Sequence, residues 1–117
     1  MTTLEGLQKV RELLSDPARW CQFWLAKGKS GRPVSPFGKA AHSFCLNGAC
    51  IRVTGRKTMF EAQPHSMPMV MALELAAKKM GFRGWDAHIK LNNTADHPTV
   101  LKCIDLAIEQ TSLRESS

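Results

Sequence analysis

Leu4, Leu7, Val10 and Leu14 recur at helical spacing, so residues 3–15 read as an amphipathic helix. In front of it, Thr2-Thr3-Leu4-Glu5 fits a capping box, with Thr2 at the N-cap and Glu5 reaching back from the third helical position. Ser15-Asp16-Pro17 stops this helix and starts a short further turn, since proline is tolerated at a first helical position. The pattern then changes. Trp20 to Ala26 is short and aromatic-rich and runs into a glycine-containing stretch ending at Val34, which reads as a β-hairpin near residues 20–34. Helical spacing returns over 38–54, with Ala41, Phe44, Cys45, Gly48, Ala49 and Ile51 along one side and Gly55 as C-terminal cap. Residues 56–65 read as loop. Ser66 is the expected N-cap of a helix over 67–80, buried through Met67, Val70, Met71, Leu73 and Ala77 and ended by Gly81. A short helix over 84–90, with Trp85 and Ile89 turned inward, leads to a turn at Asn92-Asn93. Asp96 or Thr94 then caps a last helix over 97–111, and Ser112–Ser117 is expected to fray. The sum is one mainly α domain of about four helices, with Trp20, Trp24, Cys45, Ile51, Leu73, Ile104 and Ile108 in or near its core.

A length of 117 residues suits that single domain, because two separate cores would each be marginal. No apolar run approaches the roughly 20 residues of a membrane-spanning helix, and the polar start with its early acid is not a signal peptide. The four cysteines (Cys21, Cys45, Cys50, Cys103) lack closely paired spacings and read as free thiols in a reducing cytoplasm.

Charge adds a second pattern. The net charge is +6, yet residues 27–57 carry Lys27, Lys29, Arg32, Lys39, Arg52, Arg56 and Lys57 with no acid, while the other residues hold nine bases and ten acids. One contiguous segment therefore carries all the excess. Such a segment steers an acidic protein surface or a nucleic-acid-containing complex toward the protein, and no membrane partner is expected. Only Phe37 and Phe44 lie inside it and the chain has no tyrosine, which argues against a base-stacking platform.

Three kinds of chemistry are worth weighing. Cys45, with His42 three residues earlier and Asn92 as an orienting amide, is the candidate set for a cysteine-dependent enzyme. Small-residue packing with Gly48 and Ala49 explains the same letters, and a catalytic histidine usually comes from elsewhere in the fold. No Cys-x-x-Cys pair exists and His65, His88 and His97 are scattered, so neither a metal site nor a cofactor is expected. Ala77 to Phe82 matches the turn of a helix-turn-helix, with a recognition helix over 84–91. Its register puts Ala87 and Lys90 at buried positions, which suits the alanine and not the lysine.

Arg11-Glu-Leu-Leu-Ser-Asp-Pro-Ala-Arg-Trp20, the turn with Gly31-Arg32-Pro33-Val34, and Phe44-Cys45-Leu46-Asn47-Gly48-Ala49 together resemble a bacterial and phage family of small proteins classed as a domain of unknown function. That family's pattern carries Trp-Cys where this chain has Phe44-Cys45. It carries Trp-Asn-Asp where this chain has Leu91-Asn92-Asn93, before a last amphipathic helix. An acid or metal-ligand role for that aspartate does not transfer to the amide at 93. The resemblance implies a shared fold and a bacterial or phage origin, and supplies no reaction. The expected function is binding through residues 27–57. A phage-borne inhibitor of host machinery, an anti-CRISPR type included, is one instance that the sequence permits.

Overall fold

Thr2 and Glu5 form the expected capping box, and the helix they start, α1 (Thr3–Leu13), buries Leu7 and Val10. In the computed structural model, which describes residues 1–116, α1 is followed by a 3-10 turn (Pro17–Arg19) capped by Asp16. Then come β1 (Ala26–Lys27), β2 (Ser43–Phe44), α2 (Leu46–Val53), α3 (Met59–Lys79), α4 (Ala87–Thr94) and α5 (His97–Ser116). The described residues thus hold five α-helices rather than about four, and α3 packs against each of the other four. Leu73, Ile104, Cys50, Phe44 and Leu14 lie at the centre of one apolar core.

The expected hairpin is only half there. A glycine turn does close, with the Gly28 N–H donating to Arg32 O and Lys27 bridging Pro33. The strand pair, however, joins Ala26–Lys27 antiparallel to Ser43–Phe44, and residues 20–25 form no strand. Because 43–44 are spent on that pairing, α2 starts at Leu46 instead of 38. Gly55, at φ +70°, follows its C-cap as expected.

The larger correction is α3. Pro64 and Pro68 look like breakers, yet both sit inside a 21-residue helix that starts at the Thr58 cap, so the expected loop over 56–65 is mostly helical. The two prolines are four apart and therefore share one exposed face. Each removes one backbone donor there, while Ala62, Ser66, Met69 and Leu73 stay buried on the other side. Ser66 is thus a mid-helix packing residue and not a cap. Met67 and Met71 are exposed rather than buried, and Trp85 (94% exposed), Ile89 and Trp24 also face outward. Trp20 and Ile108 are half-buried against the core, and Ile51 is buried. Asp96 caps α5 through the Thr99 N–H, and α5 continues through Ser116, past its expected end.

Candidate functional site

Residues 20–25 lack regular structure, so their backbone groups need partners from elsewhere. The side chain of Asn92 ties this segment to two helices. Asn92, buried on α4, accepts from the Trp20 indole Nε1 (2.9 Å) and from the Leu46 N–H (3.1 Å) through Oδ1, and donates to Cys21 O (3.2 Å) and Asn93 Oδ1 through Nδ2. Asn93 Oδ1 also accepts from the Phe23 N–H at 2.8 Å. Phe23 has φ +73°, a left-handed conformation that a bulky residue adopts only when its surroundings hold it there. It is nevertheless 70% exposed, beside a half-exposed Trp24. Asn92, named as an orienting amide for catalysis, instead ties this segment to α2 and α4.

Beneath the segment lies a cavity of about 170 Å³, lined by Phe23, Trp24, Leu25, Leu46 and Ile89 on its apolar side and by Cys45, Asn47, His88, Asn92 and Asn93 on its polar side. His88 is buried. Its Nδ1 stands 2.7 Å from Glu74 Oε1 and its Nε2 2.8 Å from Asn47 Oδ1. Glu74 also accepts from the Ala87 and His88 backbone N–H groups, so a carboxylate on α3 caps α4, whose own Asp86 makes no side-chain cap. Sequence reading passed over Glu74, although it falls four residues after Val70 and three before Ala77. An acid inside an apolar stripe was the available signal.

Burial pushes the Glu74 carboxyl up, but the bonds from the His88 side chain and from the His88 and Ala87 backbones outweigh it and hold the group below its ordinary value of 4.5. A lowered folded-state value stabilises the protein above the unfolded value, and that contribution is lost as pH falls through the folded one. Glu74→Gln is therefore expected to lower the urea midpoint at pH 7, and the gap to wild type should close as pH drops below about 4.5. A gap that is constant with pH would remove the charge from this account.

Cys45 is not on a helix face with His42. It is the N-cap of α2, its half-buried Sγ accepting from the Gly48 N–H at 3.3 Å, and burial holds the thiol above its ordinary value. His42 lies before β2, among the residues of a different, cationic groove. The expected Cys45, His42 and Asn92 set is thus not assembled, because the strand at 43–44 replaces the helix that would have stacked two of them. Among the described residues no three His, Cys, Asp or Glu side chains gather as metal ligands.

The basic segment divides. Lys29, Arg32 and Lys39 line one open groove of about 470 Å³ with no acid among its lining residues, and none of the three forms an ion pair among the described residues. Arg52 is used by the fold: Nη1 donates to Pro36 O and Gly38 O, and the guanidinium lies 5.6 Å from the Phe44 ring centroid. It fixes the loop that carries Lys39. Arg56 and Lys57 are exposed past the end of α2, Arg56 beside His65, and Lys27 lies half-buried in β1.

Fold and site together define a small helical protein with a two-stranded ribbon, an apolar cavity and a cationic groove. The chain belongs to the family of unknown function DUF6197, which matches residues 1–110. Membership of an uncharacterised family agrees with the resemblance seen in the sequence. No curated protein and no solved structure matches the chain significantly. The role of position 93 is now defined in this chain. Its Oδ1 receives two donors, a duty that an aspartate oxygen performs equally well. No helix among the described residues is long and apolar enough to cross a membrane.

Proposed function

We propose that this chain is a small interaction protein that takes an acidic segment of a protein partner against Lys29, Arg32 and Lys39. The supporting observation is that these three cations line one groove without an acid and, among the described residues, without an ion pair, while the fold engages Arg52 and leaves His42 in a different groove from Cys45 and Asn92. Such a groove raises the encounter rate of an acidic partner and makes binding sensitive to salt. The reading puts the protein in the cytoplasm of a bacterium or of a phage-infected host. A phage-borne inhibitor of host machinery, an anti-CRISPR type included, is one form it takes.

Affinity capture from a bacterial lysate, at low and moderate salt and with and without nuclease, tests it. Nuclease-resistant, salt-sensitive capture is expected. The triple variant Lys29→Glu, Arg32→Glu, Lys39→Glu should lose it while its melting stays near wild type, because exposed substitutions shift stability by about 0.5 kcal/mol or less. Nuclease-sensitive capture would move the proposal to a nucleic-acid-containing complex. Capture unchanged in the triple variant would end it.

A further inference from the structure

The cavity beneath Phe23 and Trp24 plays no part in that reading, and its polar lining is one-sided. Asn93 spends its Oδ1 on the Phe23 N–H and on Asn92 Nδ2, so the network fixes which end of its amide remains, and among the described residues Nδ2 has no acceptor. Asn47 Oδ1 lies 2.8 Å from His88 Nε2, and among the described residues its Nδ2 has no acceptor. Neither amide nitrogen is a fully buried unpartnered atom, and both residues line the cavity. Glu74 Oε1 and Asn47 Oδ1 occupy the two ring nitrogens of His88 behind this wall. The cavity therefore offers an apolar body and uncommitted amide donors on Asn47 and Asn93.

Its apolar side is equally specific. Phe23 and Trp24 are exposed aromatics of the kind that solvent-facing loops carry for binding. Phe23 is kept in its unfavourable conformation by the same Asn93 whose NH2 group is left over. Strain that persists because the surroundings fix it is a feature of ligand clamps. At about 170 Å³ the cavity is smaller than clefts for drug-sized ligands, and has room for one ring or one branched chain.

We propose that this cavity binds an apolar carboxylate: one ring or branched chain stacked under Phe23 and Trp24, its carboxylate accepting hydrogen bonds from Asn47 Nδ2 and Asn93 Nδ2. A free small acid and the C-terminal residue of a peptide present the same chemistry. The site uses none of Lys29, Arg32 or Lys39, so it stands or falls apart from the groove.

The test follows side-chain amide resonances of Asn47 and Asn93 by NMR in the full-length protein. Four probes are titrated: 3-phenylpropionate, 3-phenylpropylamine, and acetyl-Gly-Ser-Phe with a free or an amidated C-terminus. The expected result is movement of both amide signals and at least about tenfold tighter binding of 3-phenylpropionate than of the amine, which is about 1.4 kcal/mol. The free-ended peptide binding tighter than the free acid would identify a chain end as the natural source, and the reverse a small acid. Asn93→Asp keeps an oxygen for Phe23 N–H and Asn92 Nδ2 but replaces the donor with negative charge, and should lose tenfold or more. Trp24→Ala, at an exposed position, should weaken binding severalfold without a change in melting. Equal binding of acid and amine, unmoved amide signals, or undiminished binding by Asn93→Asp would each overturn the proposal. If Asn93→Asp does not fold, the wild-type probe series and Trp24→Ala decide.

Discussion

Asn92→Ala is expected to destabilise the protein by about 3–5 kcal/mol, far beyond what loss of one side chain on an eight-residue helix suggests. The substitution leaves the Trp20 indole N–H, the Leu46 N–H and the Cys21 carbonyl without their partner at once. An unsatisfied buried group costs about 1–3 kcal/mol. The Leu46 N–H is fully enclosed, and Leu46 is the first residue of α2, so the damage spreads from the irregular segment into a helix start. Asn92→Asp separates the two ends of the amide. It retains the oxygen that accepts from Trp20 and Leu46 but turns the donor to Cys21 into a second acceptor, and it should fall between alanine and wild type. Urea denaturation followed by tryptophan fluorescence measures both. A loss below 1 kcal/mol for the alanine variant would show that water takes over these bonds, and that segment 20–25 is held by packing instead.

That hub was invisible in the sequence for a physical reason. Asn92-Asn93 reads locally as a turn, because asparagine favours turns where its side chain bonds nearby backbone. Here the partners lie about 70 residues away in the chain, in a segment with no regular structure of its own. What was legible is what local chemistry decides: the Thr2 capping box, the Asp16-Pro17 turn, the Gly55 and Gly81 terminations and the Asp96 cap. What failed was decided by tertiary contacts. The start of α2 moved because Ser43–Phe44 pair with Ala26–Lys27, and α3 runs through two prolines because its opposite face is buried. Trp24 and Trp85 are expected inside on residue type alone, whereas both are exposed, because residue type does not say which apolar side chains the tertiary packing covers. The same holds for the site. The basic residues are visible as letters, but only the fold separates Arg52, a loop clamp, from Lys29, Arg32 and Lys39, which form no ion pair among the described residues.

Gly48→Ala is expected to cost about 3 kcal/mol or more, the upper end of overpacking effects. Helix propensity alone predicts the opposite sign, since alanine in a helix is favoured over glycine by about 1 kcal/mol. Position 48 is different because segment 20–25 crosses directly over the first turn of α2. A Cβ at Gly48 would land on the Leu25 carbonyl oxygen, with the carbonyl carbon 2.7 Å away. These are backbone atoms, so no side chain can rotate aside. Either Leu25 lifts from α2, carrying Trp24 and the cavity wall with it, or α2 moves and breaks the Gly48 N–H contact to Cys45. Gly6→Ala is the matched control: its Cβ meets the side chain of Met69, which is flexible enough to yield, so its cost should be smaller. Urea midpoints for the two variants test the contrast. A Gly48→Ala protein as stable as wild type would mean that segment 20–25 does not rest on α2 in solution, and the cavity beneath Phe23 and Trp24 would lose its wall.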